Sequence, residues 1–129
     1  YTEKNRVQEV KANPDDLLYR MRHAGVDQRE HELDIYYSNV GEEPERIKRT
    51  TIDMNMDWTE WKGSEVQEVL RTETDYEGVS EPNQPSTGGA DHNPVHQVRD
   101  PYIYKENGRK YLVYSIAGET GLGIAEIAE

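Results

Sequence analysis

The sequence predicts an all-β fold built from antiparallel four-stranded sheets in tandem, the plan of a partial β-propeller. Three observations lead there. Short runs rich in β-branched and aromatic residues recur along the chain, separated by turn residues such as Gly41-Glu42-Glu43-Pro44 and Asn107-Gly108. One strand-turn-strand pattern returns 77 positions after its first appearance. Finally, only 33% of the 129 residues are apolar, with no phenylalanine, nine tyrosines and two tryptophans. That is a thin supply for a closed helical core, and it suits flat sheets with a wet face or sheets that share a core with neighbours.

In chain order, Arg6 to Val10 alternates weakly and breaks at Asn13-Pro14-Asp15-Asp16, as an outer strand before a turn does. Leu17 to Val26 reads as the next strand and contains Met21-Arg22-His23. Leu33 to Ser38 (Leu33-Asp34-Ile35-Tyr36-Tyr37-Ser38) is dense in β-formers. Arg46 to Met54 and Glu65 to Leu70 supply two further strands, with Trp58 and Trp61 between them. Residues 72 to 97 carry Pro82, Pro85, Gly88, Gly89 and Pro94 and few aliphatic side chains, so they read as a long loop. Three strands then follow closely: Val98 to Tyr104, Tyr111 to Ile116, and Gly121 to Ile127. The first two are joined by Glu106-Asn107-Gly108-Arg109, a strong hairpin signal. The division expected is 1–16 as the tail of a preceding sheet, 17–71 as one blade-like unit, 72–97 as the connecting loop, and 98–129 as a second, incomplete unit.

The repeat decides the architecture. At an offset of 77, Arg22 falls on Arg99, Tyr37 on Tyr114, Ser38 on Ser115, Gly41 on Gly118 and Glu42 on Glu119. Val26 falls on Ile103 and Ile35 on Leu112, so apolar positions are kept as well. Short antiparallel sheets that cannot bury their faces alone are stabilised by stacking on their neighbours. Two such units do not close a ring, so the chain reads as part of a larger object. Its first residue, Tyr1, fits upstream sequence having preceded it.

The formal charge is −11, from 26 acidic and 15 basic residues. Such a surface repels phosphates, which argues against nucleic acid and anionic membranes as partners. The acidity fits either plain solubility or a salty environment. With no cysteine, disulfides and thiolate metal sites are excluded.

Several segments carry a more specific likeness. The run Val98 to Tyr104, then Asn107 to Ser115, then Gly118 to Ala125 resembles a blade of the five-bladed glycosidase-like propellers. That superfamily includes arabinanases, β-xylosidases and invertases, and the likeness extends to bacterial proteins described only as glycosyl-hydrolase-like. Met21-Arg22-His23, Gly41 to Ile47, Asp57 to Trp61 and Asp75 to Gly78 fit the same group in order. The resemblance implies a module that acts on or binds poly- or oligosaccharide, without a cofactor. It departs from the family in lacking the blades that carry the remaining catalytic acids. The isolated chain is therefore expected to be inactive. The alternative is a non-catalytic propeller that binds carbohydrate or protein. Association with another copy through exposed strand edges is a further expectation.

The resemblance implies that Asp100, in Arg99-Asp100-Pro101, opens an innermost strand and points into a central funnel, as an auxiliary acid or a substrate-orienting group. The plainer alternative is a carboxylate capping the turn before Pro101. His23 is the repeat counterpart of Asp100 and is aimed at the same funnel by that placement, as a proton carrier or a sugar contact. Arg99 and Arg22 follow as hydroxyl donors or as ion-pair partners. His96 lies in Asp91-His92-Asn93-Pro94-Val95-His96, whose two histidines are four apart, but Pro94 forbids the helix that a metal pair needs there. No metal is expected, and His96 reads as part of a loop reaching over the funnel. Glu77 is a further carboxylate for substrate, or merely a solvated one. Trp58 and Trp61 are expected to pack between sheets.

Overall fold

A computed structural model of the chain describes residues 21–128. Among them the fold is all-β, in two antiparallel sheets. The first contains β1 (Met21–Arg29), β2 (Glu32–Asn39), β3 (Ile47–Asp53) and β4 (Gln67–Leu70), hydrogen-bonded in sequence order. The second contains β5 (Arg99–Glu106), β6 (Arg109–Ile116) and β7 (Gly121–Ile127), again in sequence order. Sequential pairing follows from short connections, which leave each strand its chain neighbour as the nearest partner. The expected strand at Arg6 to Val10, the tail 1–16 and the start of the Leu17 strand lie outside the described residues.

Most strands differ from expectation by one or two residues at their ends. β1 is the exception, running on to Arg29 because Val26 to Arg29 pair with Ile35 to Glu32 across a tight turn. Asn107 and Gly108 both have positive φ, 52° and 76°, which a two-residue hairpin joining β5 to β6 requires. The tryptophans depart from expectation. Trp58 begins a short 3-10 turn (Trp58–Glu60) and is exposed, while the Trp61 indole donates to the Met56 carbonyl at 3.1 Å. The Trp58 indole therefore does not pack between the sheets: Asp57 caps this turn by accepting from Thr59 N–H, while Trp61 is partly buried.

The two sheets stack face to face. Tyr36 and Ile47 of the first meet Leu112 and Tyr114 of the second, with Val98 between them, and all five are essentially buried. Leu70, Ile103, Ala125 and Ile127 border this cluster. Each fully buried side chain of this size contributes on the order of 1.5–3 kcal/mol. Beside the core, β1 and β5 approach very closely. A Cβ placed on Gly25 would lie 2.6 Å from the Pro101 carbonyl oxygen, so only glycine fits. Further along, the buried Asp27 of β1 is held by Lys105 and by Lys110, the latter at 2.9 Å.

The 77-residue repeat has a geometric counterpart. In the first sheet Arg22 pairs with Ser38, the register then slips, and Gly25 pairs with Tyr36. In the second Arg99 pairs with Ser115, the register slips, and Tyr102 pairs with Val113. Each number in the second set exceeds its partner by the repeat offset. Both sheets therefore carry the same β-bulge at the start of the same strand.

Candidate functional site

The bulges explain where His23 and Asp100 sit. Each occupies the bulged position of its strand with positive φ, 47° and 56° respectively. This region is uncommon for non-glycine residues, although histidine and aspartate enter it more readily than most, and it costs about 1–3 kcal/mol. The bulge turns each side chain out of the strand's alternation, and because β1 and β5 are neighbours the two converge. His23 Nε2 lies 3.8 Å from Asp100 Oδ1. The other Asp100 oxygen, Oδ2, accepts from Ser115 Oγ at 3.0 Å. Oδ1 is buried and takes no hydrogen bond, and the His23 ring is largely exposed above it. A solvent-facing imidazole beside a partly satisfied carboxylate can exchange a proton or grip a hydroxyl group.

The two arginines lie deeper. Arg22 reaches the fully buried Glu45 with Nε at 2.9 Å and Nη2 at 2.5 Å, and its Nη1 donates to the Thr87 carbonyl at 3.1 Å. Burial disfavours the Arg22 charge. The Glu45 carboxylate outweighs that, with smaller help from Asp100 and Glu119, and holds the guanidinium above its usual pKa. Arg99 is 1% exposed. It donates to Gln97 and lies 3.6 Å from Glu45 and 3.7 Å from Glu119, at ion-pair range. Glu45 also accepts from Ser38 Oγ at 2.6 Å, and its backbone carbonyl accepts from Val98 N–H. The arginines therefore form a charged floor beneath the His23–Asp100 pair: Arg22 is committed to Glu45 and Thr87, whereas Arg99 bonds Gln97 and has Nε and Nη1 buried without a hydrogen bond, near the Glu45 and Glu119 carboxylates.

Glu77 and His96 stand apart from this group. Glu77 is buried and accepts the backbone N–H groups of Glu73 and Thr74 and the hydroxyl of Tyr114, the last at 2.7 Å. Burial raises its pKa, but these donors together prevail and hold it below the usual carboxylate range. His96 Nδ1 meets the Val79 carbonyl at 3.1 Å, and its backbone N–H donates to Pro82. Glu77 pins the 72–97 segment to the second sheet, and His96 braces the segment against itself, so neither reaches into the strand-start cluster. The segment is also tied to the first sheet through Ser86, whose N–H donates to the Glu42 carbonyl and whose Oγ accepts from Gly41 N–H at 2.9 Å, while Gln97 donates to the Gln84 carbonyl within the segment. Among the described residues no group of three or more metal-ligating side chains converges.

Sequence reasoning missed Glu45 and undervalued Glu119. Glu119 and Ser115 were marked by the repeat, whereas Glu45 meets no acidic residue at the 77-residue offset, and nothing in the sequence distinguished it.

No family model matches the chain, and no solved structure does. A curated relative, the uncharacterized protein R118 of Acanthamoeba polyphaga mimivirus, is 40% identical over 116 residues, which cover 89% of this chain and 33% of the viral protein. The chain thus spans about a third of the length of that relative.

Proposed function

We propose that the two sheets are successive blades of a five-bladed-type propeller from a glycosyl-hydrolase-like protein, and that the His23–Asp100 pair contacts a poly- or oligosaccharide. The observation that carries this reading is the pair itself. Two residues at counterpart positions of a repeat both adopt a strained backbone and converge from adjacent strands to 3.8 Å. Asp100 Oδ1 is left buried and without a hydrogen bond beneath the exposed His23 ring. Strain retained at two equivalent positions points to use rather than accident. A sugar hydroxyl that swings the exposed His23 ring aside from Oδ1 meets both groups.

Binding without turnover fits this chain best. Glycoside hydrolysis in its common form needs two carboxyl groups flanking one bond. Asp100 stands at the mouth of the cluster, but Glu45 is fully buried and occupied by Arg22 and Ser38. The non-catalytic alternative, a binding propeller, is favoured by the same commitment of charged groups.

Isothermal titration with arabino- and xylo-oligosaccharides tests the reading. The chain is expected to bind one of these series, and Asp100→Asn or His23→Ala to weaken binding tenfold or more. Lys62→Ala, on an exposed residue outside the cluster, leaves it unchanged. Absence of binding to every oligosaccharide tried, or binding indifferent to both site variants, refutes the proposal.

A further inference from the structure

The second sheet has a large bare face. Tyr102 is 64% exposed, Leu122 75% and Ile124 61%. Cross-strand pairing sets Tyr102, Val113 and Ile124 in one row, with Tyr104 beside Tyr111 in the next. Scattered apolar residues on a surface need no explanation, but a contiguous row across three strands does.

The repeat supplies one. In the first sheet, Gly25, Asp27, Tyr36 and Ile47 lie on the face that receives the second sheet. Gly25 abuts Pro101, Asp27 bonds Lys110, and Tyr36 and Ile47 enter the shared core. Their counterparts follow from register. Gly25 corresponds to Tyr102, Asp27 to Tyr104 and Tyr36 to Val113. Because Tyr36 pairs with Arg49 as Val113 pairs with Ile124, Ile47 corresponds to Leu122. The bare face of the second sheet is therefore the same face that the first sheet buries under its neighbour.

The covering face is equally defined. The second sheet docks through Leu112 and Tyr114, whose counterparts in the first sheet are Ile35 and Tyr37. In this chain that counterpart face is already covered, with Tyr37 0% exposed and Ile52, which pairs with Leu33 on the same face, 1%, so a second copy cannot present it. The viral relative, by contrast, has about two thirds of its length outside the matched segment, room for further units of this size. A heterologous interface repeated along one chain generates a stack of sheets.

We propose that the outer face of the second sheet, centred on Tyr102, Val113, Leu122 and Ile124, is the docking surface for a further antiparallel sheet of the same repeat, carried on the same polypeptide in the longer protein. The inference rests on the tandem-blade reading but not on the sugar reading. The incoming sheet offers an aliphatic and aromatic face. It stands further off than the second sheet stands from the first, because Tyr102 replaces the glycine that permits the close approach at Gly25. It needs no lysine pair, since Tyr104 replaces Asp27.

Hydroxyl-radical footprinting read by mass spectrometry tests this, on the 129-residue chain and on the viral relative with its matching segment replaced by this chain. In the short chain, Tyr102, Tyr104 and Leu122 are expected to oxidise readily, at rates unchanged by dilution. In the long protein their rates fall fivefold or more, while Trp58 oxidises alike in both. If the graft fails to fold, the unaltered relative footprinted at the aligned positions reads the same face. Equal oxidation in short and long proteins overturns the proposal. Protection in the short chain that disappears on dilution also overturns it, by assigning the face to a second copy. Because no sugar enters the assay, its failure is distinct from failure of the carbohydrate reading.

Discussion

Gly25→Ala puts the juxtaposition of β1 and β5 under direct test. Gly25 does not have a positive φ, so alanine suits its backbone. With open space beside it, the substitution would stabilise the chain by about 0.4–1 kcal/mol, through the lower entropy of the unfolded state. The structure reverses that sign. The new methyl would lie 2.6 Å from the Pro101 carbonyl oxygen, 3.0 Å from its carbon and 3.1 Å from Tyr102 Cα, all backbone atoms that no rotamer change can move. Forcing β1 and β5 apart costs about 1–3 kcal/mol, a fall in Tm of roughly 3–10 °C for a domain of this size. Since Pro101 follows Asp100, the same displacement spoils the His23–Asp100 pair. The assay is thermal unfolding beside Gly88→Ala, a position with nothing within 4 Å, where no loss is expected. A Gly25→Ala chain as stable as the original would refute the packing of these two strands.

Other substitutions probe the buried charges. Glu45→Gln removes the carboxylate shared by Arg22, Ser38 and Arg99 and is expected to cost about 3–5 kcal/mol in urea unfolding, as breaking a buried ion pair does. Tyr114→Phe leaves Glu77 Oε1 without its hydroxyl donor and costs about 1–3 kcal/mol by the same measure. Glu77 and Asp27 both have pKa values below the ordinary range. For each, burial acts upward, and hydrogen bonds to Glu77 and the two lysines at Asp27 prevail. Their stabilisation is complete above the unfolded carboxylate values, near pH 4, and is lost as pH falls through the lower folded values. Urea midpoints are therefore expected to drop below about pH 4, and Glu77→Gln to flatten that drop.

Periodicity and turn chemistry made the strands legible, since alternating β-formers bounded by Asn-Gly or Gly-Glu-Glu-Pro leave few other readings. The repeat went further, matching Arg22 to Arg99 and Ser38 to Ser115, and in each sheet the arginine proved to pair across strands with the serine, Arg22 with Ser38 and Arg99 with Ser115. What stayed hidden depended on long-range contact. The clamp on Glu45 joins Arg22 across 23 positions, and no local pattern announces it. The bulges were illegible because histidine and aspartate, rather than glycine, occupy the left-handed positions. Glu77 looked like a solvated loop acid until Tyr114 was seen to cover it. Trp58 looked like packing because indoles usually are, yet the Asp57 cap holds it outward.

The most direct measurement is the His23 imidazole NMR signal, followed while an oligosaccharide that binds the chain is added, in the original protein and in Asp100→Asn. The account predicts a saturable His23 shift whose midpoint moves to at least tenfold higher sugar in the variant. A sugar that binds without moving the His23 signal, or moves it equally in both proteins, would contradict a shared site at the two bulges.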